Sequence, residues 1–159
     1  PRKYKNLRVL IQQVFKCPQK SMRLFNINGK LVYKNVSSKK IKWNSKSRSK
    51  LQKSVKLFLK PYWKNHIVYE EFPVYGTRLS VDILNATKKI AIEVNGRQHS
   101  NFVEFFHGSR NGYLQSIKRD VKKAEWLEKN NFTLLEIDRE DADQLSLEYI
   151  QETFGISII

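Results

Sequence analysis

The sequence predicts an α/β fold: a mixed β-sheet flanked by helices, with a small basic α+β extension at the N-terminus. Three observations carry this. Beyond residue 46, segments of helical period alternate with short β-branched runs, the pattern of layered α/β architecture. Two apolar runs near the N-terminus are separated by Asn28-Gly29, a hairpin signal. The charge is also divided. Nineteen of the thirty Lys and Arg lie in residues 1–66, and the first acid is Glu70. The natural division is a basic extension over 1–45 and an α/β core over 46–159.

Leu7, Leu10, Ile11, Val14 and Phe15 recur at helical spacing, and Cys17-Pro18 ends that helix, because a residue before proline leaves the helical region. Arg23–Ile27 and Lys30–Lys34 form a hairpin; a type I′ turn at Asn28-Gly29 needs positive φ twice. Residues 35–50 are rich in Ser and Lys and read as a loop or exposed arm. The spacing of Leu51, Val55, Phe58 and Leu59 predicts a helix over 47–59, stopped by Pro61. Residues 66–73, 78–84 and 89–95 read as strands. A loop with Gly108 and Gly112 leads to a helix over 113–130, with Leu114, Ile117, Val121, Ala124 and Leu127 as its apolar face. Residues 132–138 read as a buried strand and 142–153 as a last helix. No repeat of 20–50 residues is present.

At 159 residues with 40% apolar composition, the chain can bury a core, which excludes full disorder. The single cysteine, Cys17, excludes an intramolecular disulfide and a cysteine metal cluster. No apolar run approaches the roughly 20 residues that span a bilayer, and no hydrophobic segment follows the charged N-terminus. These features read as a cytoplasmic protein with no membrane association. The net charge of +15 points to a polyanion, with nucleic acid the leading candidate.

Strand alternation puts Leu79, Val81 and Ile83 on one face of 78–84, with Ser80 and Asp82 on the other. It likewise puts Ala91, Glu93 and Asn95 on one face of 89–95. If Asn85 pairs with Ile90 around a four-residue loop, Asp82 falls opposite Glu93, with Cβ atoms about 4.5–5.5 Å apart. Like charges so placed repel, and a divalent cation between them relieves the repulsion. Mg²⁺ suits this, since it accepts one or two carboxylates and completes its shell with water and phosphate oxygens; Mn²⁺ is a natural substitute. A solvated polar face, or pairing of one carboxylate with Arg78 or Lys89, also answers the repulsion. His99 lies just past the strand end and is suited to take a proton from water near neutral pH. His107 is a second candidate. Asp120 lies on the long helix beside Lys118 and Arg119.

Asp82 followed after ten residues by Glu93-Val94-Asn95 resembles the PD-(D/E)xK nuclease core, with Val81 in place of proline and Asn95 in place of lysine. Ile92–His99, Ile117-Lys118-Arg119-Asp120 and Trp126–Phe132 are similar to the very-short-patch-repair (Vsr) branch of that superfamily and to phage homing endonucleases of the EDxHD type. The resemblance covers roughly residues 47–138. It implies a restriction-endonuclease-like core, Asp82 as a metal ligand, His99 as base and Asp120 as support for that histidine. The family's glutamate on the preceding helix is replaced by Gln52, so Glu70 or Glu71 takes its role or the role is absent.

With or without the resemblance, phosphodiester hydrolysis needs a Lewis acid, a deprotonated water and charge neutralisation. Asp82 and Glu93 supply metal ligands, with Asn95 beside them as a donor to phosphate or water. Arg97, Arg110, Lys118 and Arg119 supply cations on the core. Lys39, Lys40, Lys42, Trp43, Lys46 and Arg48 mix cations with one aromatic, as phosphate tracking with a stacking contact requires. Phe102, Phe105 and Phe106 form either a wedge between bases or a small core of their own loop.

The expected function is a site-specific, Mg²⁺-dependent endonuclease acting on double-stranded DNA, of phage or bacterial homing type. A mismatch-nicking repair enzyme and a non-catalytic nucleic-acid-binding protein on the same fold are the alternatives. No protein partner is implied, and homo-oligomerisation stays open.

Overall fold

The computed structural model describes residues 20–95 and 110–159. The helix expected near 7–15 and the aromatic segment 101–109 lie outside the described residues. Strands β1 (Ser21–Phe25) and β2 (Leu31–Asn35) form a hairpin. A 3-10 turn (Ser37–Lys39) and helix α1 (Lys50–Trp63) follow. Then come β3 (Val68–Pro73), β4 (Ser80–Asn85), β5 (Ile90–Val94), α2 (Arg110–Lys129), β6 (Thr133–Ile137), α3 (Arg139–Asp143) and α4 (Leu147–Phe154). The main sheet has the order β3-β4-β5-β6. Its first three strands are an antiparallel meander, and β6 returns parallel to β5 after α2. The mixed sheet expected from the sequence is therefore present.

Each face of the sheet buries its own apolar cluster. On one, Phe72, Tyr75, Val81, Leu84 and Ala91 meet Trp126 and Leu127 of α2 and Leu24 of the hairpin. On the other, Ile83, Ile90, Ile92 and Leu135 meet Val55, Leu59 and Trp63 of α1 and Ile150 of α4. Trp63 closes this second cluster by donating its indole N–H to the Ile158 carbonyl at 2.8 Å. Burying a side chain such as Ile92 contributes about 1.5–3 kcal/mol.

The hairpin is fastened to the body. The Phe25 backbone N–H donates to Asn130 Oδ1 at 2.8 Å, and Trp126 Nε1 donates to the Phe25 carbonyl at 2.7 Å. Ile27 N–H donates to the Tyr75 carbonyl at 3.0 Å. Gly76, at φ +89, makes room there, because an added Cβ would lie 3.0 Å from Ile27 Cγ1.

Several expectations are corrected. The hairpin turn is not type I′: Gly29 has positive φ (+78) but Asn28 does not. Asn26 Oδ1 instead accepts the N–H groups of Asn28 and Lys30, building the turn from Asn26. Helix α1 runs through Pro61 to Trp63. So near a helix end the missing N–H costs one bond, while burial of Trp63 holds the last turn. Residues 35–50 are no free arm. Val36 is buried, Lys40 bridges to Tyr69, and Ile41 N–H donates to the Val68 carbonyl. Lys53 Nζ donates to the Asn44 and Ser45 carbonyls, and Lys60 Nζ to Asn44 Oδ1.

Strand β6 lies at the sheet edge. It is not buried throughout: Leu135 and Ile137 are buried, while Thr133 and Glu136 are exposed. Leu114, Ile117 and Val121, expected to face the core, are between 42% and 48% exposed; the buried face of α2 runs through Trp126 and Leu127. The last helix is two. Asp138 caps α3 with a capping box, and Ser146 caps a fresh start at α4. No helix among the described residues is long and apolar enough to cross a membrane.

Candidate active site

The β4–β5 pairing is the one the four-residue loop implied: Asn85 with Ile90, Leu84 with Ala91, Ile83 with Ile92. The backbone ladder stops there. One step further, where that register puts Asp82 across from Glu93, side chains replace it. The Asp82 N–H donates to Glu93 Oε1 at 3.3 Å, and the Val94 N–H donates to Asp82 Oδ2 at 2.8 Å. Each carboxylate thus takes a backbone donor from the opposite strand.

Strand alternation breaks at the same level. Val81 packs in the first cluster and Ile83 in the second, although they are two residues apart. The expected common face for Leu79, Val81 and Ile83 is therefore wrong. The neighbouring strand is irregular too. Glu70 pairs with Ile83 and Phe72 with Val81, which leaves Glu71 across from Asp82 with φ 51. A left-handed glutamate inside a strand is uncommon, and it persists only where its surroundings fix it. Here Gln52 Nε2 and Ser80 Oγ donate to its two oxygens, and Arg48 lies 3.5 Å away. Glu70 is engaged elsewhere: both its oxygens accept from the fully buried Lys56, and one also from Ser47.

Glu93 is only 7% exposed. Burial, and then the charge of Asp82, push its pKa up to about 7, against the pull of Lys123. Asp82 is also pushed above the usual carboxylate range, by burial first and by Glu71, against the Val94 N–H bond. Lys123 Nζ donates to Glu93 Oε2 at 2.6 Å. This partner is neither Arg78 nor Lys89, and Lys123 is the residue that sequence reasoning missed. The signal was there: Trp126 and Leu127, three and four residues on, turn that face of α2 toward the sheet.

The pair opens on a cleft of about 510 Å³ lined by Arg48, Gln52, Asp82, Glu93, Asn95, Lys123 and Arg139. A second trough, about 270 Å³, shares Arg48 and is lined by Lys39, Lys40, Lys42 and Lys46. Trp43 is half-buried against the second cluster. Lys118, Arg119 and Asp120 are exposed on α2, with Asp120 one turn before Lys123. Arg97, His99 and His107 lie outside the described residues, as does the side chain of Arg110. His66 contacts Asn85 through Nδ1 at 3.0 Å, at the far end of β4 from Asp82.

Among the described residues no three His, Cys, Asp or Glu side chains converge as a metal-holding group. The donor set is the carboxylate pair. Asp82 Oδ1 makes no hydrogen bond to another described residue, and the cleft beside it gives access. Two carboxylates with room for further oxygens fit Mg²⁺ better than a cation that demands a full protein cage.

No family model matches the chain, and no solved structure matches it. Two viral proteins share part of it. "Uncharacterized protein 033L" of Invertebrate iridescent virus 3 is 30% identical over 80 residues, 50% of this chain and 41% of that protein. "Uncharacterized protein 307L" of Invertebrate iridescent virus 6 is 32% identical over 59 residues, 37% of this chain and 30% of that protein. The chain therefore matches less than half the length of these relatives.

Proposed function

We propose that this chain is a Mg²⁺-dependent DNA endonuclease with a PD-(D/E)xK core of the Vsr-like type, working as a site-specific homing endonuclease. The observation that carries the reading is the opened strand pair: two facing carboxylates, beside a cation-lined trough. The spacing from Asp82 to Asn95, which resembles the PD-(D/E)xK motif, agrees with it.

Asp82 and Glu93 would hold Mg²⁺, which polarises a phosphoryl oxygen and lowers the pKa of a bound water. The chain's own residues do the rest. Lys123 fixes the Glu93 carboxylate and offsets part of the charge that burial penalises. Arg48 and Arg139, lining the cleft, meet the phosphate. Glu71, held by Gln52 and Ser80, keeps a third carboxylate beside Asp82, in the role the family gives to a helix glutamate. His99, from the resemblance, takes the proton from the attacking water. The water oxygen bonds to phosphorus as the P–O bond to the leaving strand breaks, and the departing oxygen takes a proton from solvent.

The test is nicking of supercoiled plasmid in Mg²⁺ and in EDTA, with wild type, Asp82→Ala and Glu93→Ala. Cutting should need Mg²⁺ or Mn²⁺ and vanish in both variants while duplex binding survives. Wild-type cutting by Asp82→Ala would sink the assignment. A non-catalytic reading has one specific observation in its favour, that Lys123 already neutralises Glu93. Binding without cutting in any divalent cation would establish it.

A further inference from the structure

The hairpin turns one face to the core and one to solvent. Leu24 is buried and pairs with Val32, and Met22, beside Lys34, packs on the first cluster. The outward face carries the cross-strand pairs Arg23 with Tyr33 and Phe25 with Leu31. Tyr33 is 66% exposed and Phe25 40%. The Arg23 guanidinium lies 5.3 Å from the Tyr33 ring centroid, which holds the arginine against the aromatic rather than leaving it to wander. No carboxylate competes for it: Arg23 has no acidic partner among the described residues, and no acid occurs before Glu70. Lys20 and Lys30 flank the face, and β2 runs within four residues into Lys39 and Lys40 of the basic trough.

We propose that the outward face of the β1–β2 ribbon, through Arg23, Phe25 and Tyr33, is a base-reading surface that lies in the major groove of duplex DNA. The inference rests on the nucleic-acid reading above and deepens it by naming the part that selects sequence. A two-stranded ribbon, with strands about 4.8 Å apart, fits a groove about 12 Å wide. Arginine is the side chain that reads guanine O6 and N7 with two parallel bonds, and an apolar ring meets the thymine methyl. The cations on either side meet phosphates and set register without reading sequence. The hairpin's bonds to Trp126 and Asn130 fix the ribbon on the body, so its face meets DNA without first being ordered.

The test is selection from a randomised duplex library with the full chain, comparing wild type with Arg23→Ala, Tyr33→Ala and Lys30→Ala, each checked for unchanged melting. Wild type should enrich a motif. Arg23→Ala should relax it at one or two positions, with a loss of about 5- to 150-fold on the wild-type motif. Lys30→Ala should weaken all sequences alike and lower the salt slope by about one. The proposal is overturned if wild type enriches no motif, or if Arg23→Ala and Tyr33→Ala recover the same motif with unchanged affinity. It is also overturned if Tyr33→Ala loses only a single-stranded probe, which would make the face a stacking platform. Motif selection without plasmid nicking would remove the nuclease reading and leave the ribbon standing. Nicking with selection indifferent to Arg23 would do the reverse.

Discussion

Strands β4 and β5 run side by side, yet their two ends obey different rules. At the Asn85–Ile90 end the ladder is regular, and Ile83, Ile92 and Leu84 are fully buried. At the Asp82–Glu93 end the backbone donors go to carboxylates, alternation flips, and the strand beyond holds a left-handed Glu71. The closed end has the composition of a stability element. The opened end concentrates like charge and strain that a sheet ordinarily avoids. A sheet keeps such a defect where the rest of the fold over-determines it and where the defect has a use.

The sharpest way to break this comparison is to substitute one residue at each end. Asp82→Asn should abolish Mg²⁺-dependent nicking and leave the urea midpoint at neutral pH unchanged or higher, since it removes a buried, repelled charge. Ile92→Ala, one position away from Glu93, should cost about 2–5 kcal/mol through lost burial and the cavity left behind. Residual folded Ile92→Ala should still cut. If the two variants lose stability equally, the ends do not differ in kind.

The closed end was legible in the sequence because its signals are local. Four residues between Asn85 and Ile90 set the register, and that register carries Asp82 to Glu93. The opened end was only half legible. Counting by twos cannot anticipate a strand that changes face at Asp82, because the cause lies on another strand, in the left-handed Glu71. Gln52 and Glu71 read separately as a departure and an alternative; only folding brings the amide to the carboxylate. Lys123 was hidden by a helix stripe drawn through Leu114, Ile117 and Val121, which the structure leaves partly exposed. Trp126 and Leu127 were the better guide to the buried face. Residues 35–50 read as a loop or exposed arm because their Ser- and Lys-rich composition is polar, but Lys53 and Lys60 use their charges on the carbonyls of Asn44 and Ser45 and the side-chain amide of Asn44.

Proton linkage offers a smaller effect of definite sign. Glu93 rises from an ordinary value of 4.5 to about 7 in the folded chain. Below pH 4.5 it is protonated whether folded or not. Between about 4.5 and 7 the unfolded chain releases the proton while the folded chain keeps it, so stability falls as pH rises and levels off above 7. The full effect is on the order of 3 kcal/mol. Asp82, shifted in the same direction, adds to it. Urea midpoints in EDTA across this range should show the decline in wild type and a shallower one in Glu93→Gln. Lys123→Met should move the decline to higher pH, since it removes a group that lowers the Glu93 pKa. A wild-type curve that rises from pH 5 to 7, with Glu93→Gln superimposed on it, would mean the pair is solvated.

The smallest effect separates strain that serves the site from strain that serves a turn. Lys89, at φ 58 in the β4–β5 loop, and Glu71, at φ 51, both occupy the left-handed region. That conformation costs a non-glycine residue about 1–2 kcal/mol, and glycine relieves it at the expense of greater freedom when unfolded. Lys89→Gly also removes the ammonium that sits 4.6 Å from the Phe132 ring centroid, a contact of about 0.5–1 kcal/mol. These opposed terms leave Lys89→Gly within about 1 kcal/mol of wild type, with nicking unchanged. Glu71→Gly relieves the same strain but gives up the bonds from Gln52 and Ser80, so its stability should change as little. Its activity should not follow. On the proposed reading Glu71 takes the role of the family's helix glutamate beside Asp82, so without its carboxylate Mg²⁺-dependent nicking should fall while the motif selected from duplex DNA stays the same. Equal nicking by both glycine variants would show that Glu71 is strained for the sake of the strand alone, and that the site consists of Asp82 and Glu93 without it.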